Sequence, residues 1–94
     1  MELNEYQRLH RIVETYERTL VESTLHLSSV CGNFAGELLW HNIHKGKIDT
    51  VRMMLNLGDV LFALTEIANK LNVDLNDIAV SNLHKNNLKK VLIK

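Results

Sequence analysis

Between Met53 and Lys85 the apolar residues Leu57, Val60, Leu61, Leu64, Ile67, Ala68 and Leu71 recur every three to four positions. That is the period of a helix turning one broad face to a core, and such a face needs a partner helix. Asp59 sits beside Gly58 within the run, where an unpaired carboxylate is costly to bury, so a cation is expected to meet it. Upstream, Leu3, Tyr6, Leu9, His10, Val13 and Tyr16 predict a first amphipathic helix, with Asn4 as N-cap and Gln7 at the capping-box spacing. No glycine or proline between Thr15 and Thr19 stops it. A second helix is predicted over Leu20 to His44, carried by Leu20, Leu27, Val30, Phe34 and Leu38, with Cys31 and Ile43 at its margins.

The joints follow from local chemistry. Lys45-Gly46-Lys47 places cations at the negative end of the second helix and a glycine suited to the left-handed C-cap. Asp49 is a good N-cap for a third helix from Thr50 to about Leu71, and Asn72 suits the left-handed turn after it. Asp74 is expected to cap a fourth helix carrying Leu75, Ile78, Ala79, Leu83, Leu88 and Leu92. Gly32 and Gly36 lie inside the second helix, where each costs roughly 1 kcal/mol against alanine. Close backbone packing or room for a ligand beside Glu37 is the expected compensation.

The 94 residues contain no proline and four glycines, which favours uninterrupted helices and an all-α fold in one domain, 1–94. With 46% apolar and 23% charged residues the balance is that of a folded chain. A domain this small buries only about two thirds of its unfolded surface, so a homo-oligomer, a dimer or tetramer, is expected. The formal net charge of zero gives no global attraction to nucleic acid. No apolar run reaches the roughly 20 residues of a membrane span. The single cysteine, Cys31, and the absence of a leader pattern point to a cytoplasmic protein.

The run LGDVLFALTEIANKLNVDLNDIAVSNLHK, Leu57 to Lys85, resembles the second half of a MazG-like nucleotide pyrophosphohydrolase domain. That family's typical run is an E-L-G-D helix, a short joint and an A-N-x-x-K helix. The likeness extends from about Leu3 to about Lys90, and the opening Asn4-Glu5-Tyr6-Gln7 shares in it. It implies a four-helix MazG-like bundle, oligomeric, with sites built between subunits. It also implies magnesium ions held by an E-x-x-E pair on the second helix and an E-x-x-D pair on the third. Residues three apart share a helix face, so two such pairs can ring a hard cation with oxygens.

On this chain the E-x-x-E positions are Phe34 and Glu37, and the E-x-x-D positions are Asn56 and Asp59. Two of four carboxylates are replaced, so only a residual magnesium site at Glu37 and Asp59 is expected. The plain alternative pairs these acids with Lys45, Lys47 or Arg52. Asn82 and Lys85 match the A-N-x-x-K pattern and share a face of the last helix. Lysine offers phosphate a point charge, and asparagine both donates and accepts. Trp40, His41 and Phe34 could flank a base, although an aromatic at helical spacing more often packs in a core. His41 and His44 form an H-x-x-H pair, for which zinc needs further ligands.

The resulting expectation is a nucleotide-binding protein with lost or weak hydrolysis, holding or sequestering a nucleotide or nucleotide-derived signal, of which a phage-encoded sponge is a concrete form. A divergent magnesium-dependent pyrophosphohydrolase is the alternative, and a helical interaction module a third.

Overall fold

In the computed structural model, residues 1–14 and 17–86 are described. Their regular structure is entirely helical: α1 Leu3–Val13, α2 Leu20–His44, α3 Thr50–Leu71 and α4 Leu75–Lys85. α3 is the central element, packed by α2 on one side and crossed by α1, which in turn carries α4. α2 and α3 run antiparallel, because Glu37 meets Arg52 near their joint while Ser23 lies against Glu66 at the far end.

Local signals set most boundaries. Thr19 and Glu22 form a reciprocal capping box at the start of α2, Thr19 N donating to Glu22 Oε1 at 2.9 Å and Glu22 N to Thr19 Oγ1 at 3.2 Å. Two orphan donors are thereby satisfied. Asp49 caps α3 as expected, accepting from Val51 N and Arg52 N, and Asn72 takes the left-handed turn at φ 55°.

Four expectations need correction. Asn4 lies inside α1, whose N-cap is Glu2 without a side-chain bond. α1 ends at Val13, with Glu14 extended at its C-cap, and Tyr16 lies outside the described residues. The left-handed residue after α2 is Lys45, at φ 52°, and not Gly46. Asp74 sits at the N-cap of α4 but makes no side-chain bond there, because Gln7 of α1 takes that role: its Oε1 accepts from Leu75 N at 2.8 Å. Leu88 and Leu92 lie outside the described residues.

The core also differs from the pattern. Buried apolar residues among those described are Met53, Ala63, Ala68 and Leu75, joined by the buried polar residues Gln7, His10, Ser23, Thr65 and Glu66. Leu57 and Leu71, expected on the core face, are about half exposed in the single chain, at 52% and 53%. A β-carbon built on Gly32, Gly36 or Gly58 meets nothing within 4 Å, so none of the described helices accounts for these glycines by close approach. The accessible surface is 7394 Å², against roughly 5,500 Å² expected for a compact monomer of this mass. No described helix is long and apolar enough to cross a membrane.

Candidate functional site

The half of α2 nearest the joint and the first two turns of α3 bring Glu37, Trp40, His41 and Arg52 around one concavity of about 360 Å³. The register is a consequence of the antiparallel hairpin. Arg52 and Asn56 lie four apart, one turn of helix, and therefore both face Glu37 across the α2–α3 seam. Arg52 Nε pairs with Glu37 Oε1, and Asn56 Nδ2 donates to Glu37 Oε2. The acid is largely covered, its side chain 17% exposed, whereas the arginine is 67% exposed. The carboxylate thus sits behind and the cation in front.

Trp40 lines the same concavity. Its ring is 5.3 Å from that of His41 in an edge contact and 4.5 Å from that of His44, tilted by 41°. Even so the residue is 56% exposed. His41 Nδ1 is buried and has no hydrogen-bond partner. Lys45, expected as a possible partner of the acids, instead lines a neighbouring concavity of about 320 Å³ with Leu38, His41, Asn42, Gly46 and Ile48.

The other expected residues lie elsewhere. Asn82 and Lys85 share a separate concavity of about 380 Å³ on α4, with Val73, Asp77, Ile78 and Ser81. Phe34 is half-buried, one turn before Glu37, and lines neither of these concavities. Asp59 is exposed. The structure therefore joins Glu37 to Trp40 and His41, joins Asn82 to Lys85, and does not join the two groups within one chain.

Within the single chain the donors expected for magnesium are largely engaged by protein groups or replaced. Each oxygen of Glu37 already has a protein partner, Phe34 offers no ligand, and among the described residues no three of His, Cys, Asp and Glu are grouped for a metal. A hard cation requires several free oxygens at one point.

A second polar cluster was not visible in the sequence. Glu66 is fully buried and pairs with Arg18 Nη1 at 2.7 Å. Glu14 Oε1 and Glu66 Oε2 are buried without a conventional donor, and a proton on Glu14 turns these two facing acids into one hydrogen bond. Burial first, then Glu66 itself, pushes the Glu14 carboxyl up. Burial also acts to raise Glu66, but the neighbouring Ser23, Glu14 and Arg18 outweigh it and hold its carboxyl below the ordinary value.

His10 lies beside this cluster. It contacts Phe62 O through Nε2 at 2.9 Å and Asn69 Nδ2 through Nδ1 at 3.2 Å, which fits the tautomer with its proton on Nε2. The available signal was the spacing of Gln7, His10 and Glu14, a polar stripe at helical period on α1. Compared with family models, curated proteins and solved structures, the chain matches none.

Proposed function

We propose that this chain is a nucleotide-binding protein on a MazG-like helical scaffold, with lost or weak hydrolysis, which holds or sequesters a nucleotide or nucleotide-derived signal. The observation that carries the reading is the state of Glu37. Where the family pattern places carboxylates around a cation, this acid is answered by a guanidinium and an amide from Arg52 and Asn56. A glutamate at position 56 would repel Glu37 unless a metal stood between them. Asparagine removes the repulsion and supplies a donor. What remains beside it is an exposed indole and a cation, a surface suited to a base and a phosphate.

The same reading takes the protein as a homo-oligomer. Among the described residues the buried apolar set is four, while Leu39, Ile43, Met54, Leu55 and Leu57 stay exposed, apolar surface that a second copy could cover. Association is also the means by which the Asn82–Lys85 concavity of one copy would meet the Trp40 concavity of another.

The test incubates purified protein with nucleoside triphosphates and cyclic nucleotides plus magnesium, and analyses bound and free pools by mass spectrometry. Recovery of an intact nucleotide from the denatured protein is expected. Catalytic release of monophosphate and pyrophosphate, abolished by Asp59→Ala, would replace this reading with that of a divergent magnesium-dependent pyrophosphohydrolase. No stabilisation by any nucleotide would favour an interaction module.

A further inference from the structure

We infer that the guanidinium of Arg52, oriented by Glu37 and Asn56, is the phosphate-binding group of this site, and that it engages the ligand without a metal ion; the inference rests on the nucleotide-binding reading above. Arginine carries five N–H donors in a rigid planar fork, and one carboxylate occupies at most one edge of it. Glu37 takes the Nε edge from the covered side of the seam. The remaining donors belong to a side chain that is 67% exposed and borders the concavity shared with Trp40 and His41.

Two features make this a built arrangement and not a passing surface pair. Asn56 donates to the second oxygen of Glu37, so the acid is held from two sides and favours one orientation of the fork paired with it. Fixing a long side chain before the ligand arrives removes ordering entropy from the binding step. The concavity of about 360 Å³ lies within the range of small-molecule sites. Its lining combines an indole, 56% exposed and suited to a base, with a planar cation suited to a phosphate. A metal ion at the same place would have to displace Arg52 and Asn56 from Glu37, leaving a guanidinium beside the incoming cation. Arg52 binds phosphate directly, while Glu37 and Asn56 are positioning residues.

Isothermal titration calorimetry of ATP, GTP, cyclic AMP and cyclic GMP, each beside adenosine or guanosine, with magnesium and again with EDTA, tests this. The nucleotide that binds is expected to do so equally well in EDTA, within about twofold. Arg52→Ala is expected to weaken it roughly tenfold or more, with nucleoside affinity unchanged. Arg52→Lys retains charge without the fork, is the conservative variant should the alanine form fold poorly, and is expected to lose affinity for the phosphate-bearing ligand alone. Glu37→Gln should produce a smaller loss with the same selectivity, which a general structural defect would not show. Binding that vanishes in EDTA, or survives Arg52→Ala unchanged, overturns the inference while leaving the nucleotide reading standing. Failure of the wild-type protein to bind any of these probes overturns both.

Discussion

Glu14 and Glu66 meet where α1, α2 and α3 converge, and their protonation states pull stability in opposite directions. The Glu14 carboxyl is raised from its ordinary 4.5 by burial and by Glu66, against smaller pulls from His10 and Lys70. A raised carboxyl contributes stability that is complete below its unfolded value and lost as pH rises through its folded value. Glu66 is lowered, burial notwithstanding, by Ser23, Glu14 and Arg18. Its contribution is complete above the ordinary value and is lost as pH falls through the folded one. Glu14→Gln keeps a donor toward Glu66 at every pH, so this variant should gain on the wild type as pH climbs from about 4.5 toward neutrality. Urea unfolding across that range reads the difference, and a gap independent of pH would count against the shared proton. Glu66→Ala removes a buried acceptor of the Arg18 guanidinium and should destabilise by about 1–3 kcal/mol at neutral pH, measured the same way.

At the scale of elements, Gln7 of α1 ties the start of α4 and the turn before it to the rest of the chain. Gln7 Nε2 donates to Val73 O at 2.8 Å and to Asn69 Oδ1 at 3.0 Å, while its Oε1 caps Leu75 N. Gln7→Ala leaves buried backbone groups without partners and should destabilise by about 2–3 kcal/mol. Gln7→Glu still accepts from Leu75 N, but once ionised it turns a buried carboxylate oxygen on Val73 O and Asn69 Oδ1, so its denaturant midpoint should fall as pH rises from acid toward neutrality. The α2–α3 joint gives a second check. Lys45 is left-handed, a conformation that costs a residue bearing a β-carbon, so Lys45→Gly should stabilise by about 0.5–1 kcal/mol. Gly46→Ala should be nearly neutral, since the added β-carbon lies 3.5 Å from His41 Nδ1, an ordinary contact.

For the whole molecule, the oligomeric part of the proposed function predicts that light scattering returns a mass of at least twice 10.8 kDa. Leu55 is 63% exposed, so Leu55→Glu should leave the single chain able to form its helices while lowering the assembly mass. The melting temperature of the wild type should rise with protein concentration, as mass action requires. A concentration-independent monomer would refute the oligomeric part of the reading.

The sequence by itself determined α2 and α3 almost to the residue, because caps and left-handed turns are local chemistry: Asp49, Asn72 and the 3.6-residue period act over a few positions. It also offered the pairing of Glu37 with Arg52 as one of three cations an acid there could meet. Only the tertiary structure chose among them, since the antiparallel seam sets which turn of α3 faces which turn of α2. The same holds for Gln7, Glu14 and Glu66, polar residues that read as surface until three helices close around them. Leu57 and Leu71 show the converse. Helical period says that a stripe is apolar, but a single chain with two helix faces to bury and few neighbours leaves part of that stripe for another surface to cover.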